Sequence, residues 1–114
     1  MPKTPNDLLH GTLDILILKA LTMGPLHGYA ISRWIEARTG GLLAIEDAAL
    51  YKALHRLERQ HAIAADWGVS DTNRKAKYYE LTRRGRAALR TEARVWRRYA
   101  GAVAAVLRSA PTSR

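Results

Sequence analysis

Apolar positions along this chain change period twice. Between Gly11-Thr12 and the Gly24-Pro25 break, Leu13, Leu16, Ile17, Ala20 and Leu21 recur at helical spacing, which predicts a helix over about 12–23 with those residues facing its own core. Ile15 and Leu18 form a second stripe, which Leu8 in the lead-in extends. A helix apolar on two sides in a small domain must bury both, so these three residues are assigned to a partner subunit. His27 or Gly28 opens a second helix that Gly40-Gly41 end, with Ile31 and Ile35 its core pair and Trp34 and Arg38 on adjoining faces. Glu46-Asp47 suit a helix N-terminus, and a third helix over about 47–60 buries Leu50, Ala53, Leu54 and Leu57. Its opposite face carries Ala48, Lys52, His55, Arg56 and Arg59, with Tyr51 at the edge and nothing acidic.

The period then drops to two. Ile63, Ala65 and Trp67 alternate with Ala62, Ala64 and Asp66, the pattern of a strand with Trp67 turned to the core. Gly68 to Asn73 has turn composition, and Lys75, Lys77, Tyr79 and Leu81 alternate with Ala76 and Tyr78 in a return strand over about 75–81. Together they predict a hairpin bearing Arg74, Lys75 and Lys77. Thr82 suits the N-cap of a last helix reaching about Leu107. In it Leu89, Ala93, Trp96, Ala100, Val103 and Leu107 are spaced alternately four and three apart, an a/d seam for packing on a second copy. Gly85 and Gly101 mark close helix approach or weak points and carry no chemistry.

Helix, helix, helix, hairpin, helix is the order of a winged helix-turn-helix, so the fold class is α+β, mainly α, with a long C-terminal dimerisation helix. The expected division is 8–82 for the DNA-binding domain and 83–108 for the dimerisation helix, with disordered tails at 1–7 and 109–114.

Composition narrows the function. The 114 residues carry 19 Lys+Arg against 10 Asp+Glu, net +9, and no cysteine. Residues 1–57 hold 6 basic and 5 acidic side chains and the rest hold 13 and 5, so the excess lies in the second half. A field of that sign favours a polyanion. Without cysteine there is no disulfide scaffold, thiolate nucleophile or Cys-based zinc site. His10, His27, His55 and His61 form no metal set, and no phosphate loop or Gly-x-Ser-x-Gly elbow occurs, so neither an enzyme nor a cofactor is expected. Leu13 to Leu21, broken by Asp14 and Lys19, is too short for a membrane span. The polar start Met1-Pro2-Lys3-Thr4-Pro5 has no cleavage motif after it, and a cytoplasmic location is expected.

Four motifs resemble those of the PadR family. They are Leu9-x-Gly11-Thr12-Leu13-Asp14-Ile15-Leu16-Ile17-Leu18, Gly24-Pro25-Leu26-His27-Gly28-Tyr29-x-Ile31, Leu50-Tyr51-Lys52-Ala53-Leu54-His55-Arg56-Leu57-Glu58 and Lys77-Tyr78-Tyr79-x-Leu81-Thr82-x-x-Gly85. The resemblance runs from about Leu8 to Leu107, and the single last helix is similar to the short subfamily. It implies a homodimer that represses transcription at an inverted-repeat operator in double-stranded DNA and is released by a small molecule. It also implies that Tyr29 and Tyr51 approach DNA and that Lys75 and Lys77 belong to the basic wing. Lys52 and Ala48-Ala49 depart from the family, which usually has proline after the third-helix tyrosine and often Gly with Ser or Thr before the Leu-Tyr pair.

The expected DNA-binding set is therefore Tyr29, Ala48, Tyr51, Lys52, His55, Arg56, Arg59, Arg74, Lys75 and Lys77. Tyr29 and Tyr51 also suit packing, and Trp96 suits either dimer packing or stacking on a planar effector. Two other readings of the same fold are a protein-interaction module and a sequence-independent nucleic-acid binder.

Overall fold

The computed structural model describes residues 12–111. Its elements run α1 (Leu13–Ala20), a 3-10 turn (Leu21–Met23), β1 (Leu26–His27), α2 (Gly28–Arg38), α3 (Asp47–Arg59), β2 (Ile63–Val69), β3 (Lys75–Leu81) and α4 (Arg83–Arg108). This is a winged helix with a long C-terminal helix. The expectations for Leu8 and for tail residues 1–7 and 112–114 fall outside the described residues, while Ser109 ends α4 and is exposed.

α1 packs against α2, α3 and α4 of its own chain. Enclosure on three sides corrects one expectation. Leu18 does not face outward but is fully buried with Ile17, Ala20 and Leu21 in the core of this chain. Ile15 stays half-buried, and Leu16 packs at the core margin. The predicted helix over 12–23 also ends earlier, because its last turn tightens before Gly24, whose φ of +140° few L side chains adopt.

The sheet has order β1-β3-β2. β2 and β3 form the expected antiparallel hairpin, from Ile63 opposite Leu81 to Val69 opposite Lys75. Gly68 and Val69 belong to the strand rather than the turn, which Ser70 to Arg74 close through a Ser70 N–H bond to the Arg74 carbonyl and Asn73 at φ +61°. β1 pairs Leu26 with Tyr79 and His27 with Tyr78. Two residues are too few to show alternation, so no periodic signal marks β1 in the sequence.

Core burial reaches only the base of the hairpin. Ile63 and Tyr79 are buried with Leu50, Leu54 and Leu57 of α3, and Ala65 and Leu81 pack at the margin. Trp67, expected in the core, is instead 60% exposed. Its register is inward, but the hairpin has already run past the helices at that point.

The Thr82 hydroxyl accepts from the Gly85 N–H at 3.0 Å and donates back toward the His61 and Ala62 carbonyls, tying the α4 N-terminus to the base of β2. Here the chain needs glycine, since a Cβ at Gly85 would lie 2.0 Å from the Ala62 carbonyl oxygen. At Gly101 such an atom meets open space. Among the described residues, Ala88 and Leu89 are the last of α4 to pack against the core. A radius of gyration of 16.7 Å reflects the length of α4, against roughly 13 Å for a compact chain of this length.

Candidate DNA-binding face

The first turn of α2, one side of α3 and the hairpin enclose an open cleft of about 1280 Å³. His27 caps α2, its Nδ1 accepting from the Ala30 N–H at 3.1 Å. The same ring meets Tyr78 edge-on at 5.4 Å and stacks with Tyr29 at 6.5 Å. Tyr29 is thereby aimed into the opening and stays 66% exposed. Tyr51 of α3 lies across Gly28, where a Cβ would come within 2.7 Å of its hydroxyl. Gly28 therefore lets α2 and α3 approach closely enough for Tyr51 to line the cleft.

On the hairpin side, the Lys75 ammonium lies 5.4 Å from the centre of the Trp67 ring, an attractive cation–π arrangement. Lys77 reaches across to Glu58 of α3 at 3.4 Å and sits 5.7 Å from the Tyr79 ring centre. Burial, then the Glu58 carboxylate, then Tyr51 push the Tyr79 phenol above its usual range.

Of the ten residues expected to bind DNA, Tyr29, Tyr51, His55, Arg74, Lys75 and Lys77 line this cleft. Lys52 and Arg56 instead border a smaller hollow on the other flank of α3, with Leu13, Asp14, Ala49 and Ala53. Ala48 and Arg59 are exposed and border neither. Two of the cations are already partnered. Arg56 does not stand free on the outer face, because its guanidinium pairs with the Asp14 carboxylate of α1. Lys77 is held by Glu58, so the α3 flank is not free of acids as its outer face suggested.

Sequence reasoning passed over His27, Arg33, Glu58 and Trp67, all of which line the cleft. Arg33 was legible, since it stands one helical turn after Tyr29. Glu58 was not, because its role depends on the crossing of β3 beside α3.

On α4, Trp96 (45%), Val103 (39%) and Leu107 (79%) of the seam are exposed. Ala93 and Ala100 are half-buried, and Leu89 already packs partly on its own core. Val95, Tyr99 and Val106, 63–72% exposed, form a second apolar stripe that the seam spacing did not include.

Residues 17–91 match the transcriptional regulator PadR-like family. The chain belongs to this family. It is 35% identical over 91 residues to a protein of Lysinibacillus sphaericus, covering 80% of this chain and 84% of that one. A transcriptional regulator from Clostridium thermocellum superposes with a TM-score of 0.77 at 30% identity, covering 85% of this chain and 94% of its own. A PadR family regulator from Eggerthella lenta gives 0.76 at 32% identity, covering 91% and 88%. The family match spans α2, α3, the hairpin and the packed start of α4, so it includes every residue that lines the cleft. Membership in a family of transcriptional regulators points to a non-enzymatic role. No helix among the described residues is long and apolar enough to cross a membrane.

Proposed function

We propose that this PadR-like regulator is a homodimeric, sequence-specific repressor that binds an inverted-repeat operator in duplex DNA. The observation that carries the reading is the cleft between α3 and the hairpin, where Arg33, Arg74, Lys75 and Lys77 converge with Tyr29 and Tyr51. In a winged helix the third helix enters the major groove and the wing follows the backbone. The exposed ridge of Ala48, Lys52 and Arg59 then meets base edges, and the cleft cradles the adjoining phosphate strand. Lys52 can reach guanine, whereas Ala48 offers only apolar contact, for example to a thymine methyl.

The second copy packs on the exposed seam of α4, with Ile15 at its margin, so residues 12–82 read DNA while α4 pairs the subunits. Two-fold symmetry of the dimer gives two-fold symmetry of the operator. The release step is assigned to a planar small molecule stacking on Trp96 between subunits.

The test is a competition gel shift on DNA upstream of the chain's own gene, with unlabelled mixed-sequence duplex as competitor. Retention of the upstream complex under a large excess of competitor is expected. Equal displacement by both DNAs would leave a sequence-independent binder, and no complex with either would leave a protein-interaction module.

A further inference from the structure

Most of the positive charge of the chain lies away from the cleft. α4 holds eight arginines and one acid, Glu92, so +7 of the net +9 belongs to this helix. Arg83, Arg86, Arg90, Arg94, Arg97 and Arg98 fall within an arc of about 120° at 3.6 residues per turn. All six are exposed. None forms an ion pair among the described residues, and none lines the cleft. Arg86, Arg90, Arg94 and Arg98 stand four apart, where like charges weaken a helix. Glu92 lies on another side and cannot relieve them. β3 runs from Lys75 at the hairpin tip to Leu81 before α4 begins, so about 20 Å separates the tip from the first of these arginines.

We propose that the arginine stripe of α4 is a second DNA-binding surface, which holds a duplex segment separate from the one in the cleft. From Arg83 to Arg98 the stripe extends about 22 Å, a length along which duplex DNA presents about a dozen phosphates. Guanidinium groups match phosphate with two parallel hydrogen bonds and keep their charge at any physiological pH. Only Ala87 interrupts the arc, so it lacks the apolar centre that a protein partner would use. The apolar stripes of α4 occupy its other sides, and covering them leaves the arginines outward. Backbone contacts of this kind carry no base readout. The dimer then holds its operator in the clefts and a second segment along α4, which bridges two stretches of DNA.

The test uses the full chain, a mixed-sequence 40-base-pair duplex on beads and a fluorescent duplex of unrelated sequence. Three proteins are compared: wild type, R86Q/R90Q/R94Q/R97Q, and the same four positions changed to lysine. Glutamine keeps helix propensity, and circular dichroism with sedimentation confirms the fold and dimer. Wild type and the lysine variant are expected to retain the fluorescent duplex on the beads. The glutamine variant is expected to bind the bead duplex through its clefts but to lose at least tenfold in bridging. A cleft variant, R74A/K75A, is expected to keep salt-sensitive duplex binding that the four glutamines abolish; if it keeps all wild-type binding, the cleft reading fails while the stripe stands. Bridging by the glutamine variant at the wild-type level would overturn the proposal. So would stronger displacement by polyglutamate than by duplex DNA, which would assign the stripe to an acidic protein.

Discussion

Glu58→Gln isolates the internal competition for Lys77. In the free chain Glu58 holds the Lys77 ammonium at 3.4 Å, with both side chains a little over a third exposed. Such a pair contributes about 0–1 kcal/mol to folding, less at high salt, so the variant should unfold within a few degrees of wild type. Its effect on DNA binding should be larger and opposite in sign. A phosphate entering the cleft to meet Lys77 comes close to the Glu58 carboxylate as well. At about 6 Å in a water-like medium, two like charges repel by about 0.7 kcal/mol, or roughly threefold in affinity at 1.4 kcal/mol per factor of ten. Freeing Lys77 adds up to one phosphate contact, which steepens the slope of log affinity against log salt by about 0.9.

The expected result is therefore a threefold to tenfold gain in affinity for mixed-sequence duplex at low salt, fading as salt rises. Fluorescence anisotropy over a salt series measures both quantities. The gain should extend to every sequence, because phosphate contacts do not discriminate bases. An unchanged affinity and slope would mean that DNA does not pass Lys77. A loss of affinity would mean that Glu58 orders the wing for binding rather than competing with it.

Three further outcomes check other parts of the reading. Gly85→Ala places a methyl 2.0 Å from the backbone oxygen of Ala62, so despite better helix propensity it should cost about 1–3 kcal/mol and lower the thermal midpoint by several degrees in calorimetry. Tyr79 has its phenol pushed up in the folded chain, so its contribution is complete below the unfolded value near pH 10 and is lost as pH rises through the higher folded value; Tyr79→Phe should flatten that alkaline fall in denaturant titrations. Val103→Glu puts a charge on the exposed seam of α4 and should give a monomer with an intact winged helix in sedimentation, since among the described residues Val103 is not part of the core of its own chain.

Where a segment buries one face against its own chain, periodicity was enough to read it. The stripe of Leu50, Ala53, Leu54 and Leu57 is the buried face of α3, and Thr82 caps α4 as its hydroxyl chemistry suggests. Reading failed where burial depends on how far a neighbour extends. Leu18 was misplaced because three elements, not one, close around α1. Trp67 was misplaced because strand alternation gives the side a residue faces but not whether anything lies behind it. The ion pairs were invisible for a related reason: Asp14 and Arg56 are 42 residues apart, and Glu58 and Lys77 are 19 apart.

These pairs change what net charge means for this fold. The sequence pattern puts the DNA-binding charge on α3 and the hairpin together, yet Lys77 is offset by Glu58 and Arg56 by Asp14. The cations in the cleft without a carboxylate partner among the described residues are Arg74 and Lys75, since Arg33 pairs with Glu36 at 3.9 Å. With so few free cations, binding through the cleft alone should have a shallow salt dependence, near two phosphate equivalents per subunit or a slope of about −2. A dimer using both clefts would then approach about −4 on one duplex. A measured slope steeper than this by more than the exposed Lys52 and Arg59 of α3 can add, about two phosphate equivalents per subunit, requires either that DNA breaks the two internal pairs or that the α4 arginines take part. The two explanations separate, because in the first Lys77 already meets phosphate, so Glu58→Gln raises affinity without steepening the slope, whereas R86Q/R90Q/R94Q/R97Q makes it shallower only in the second.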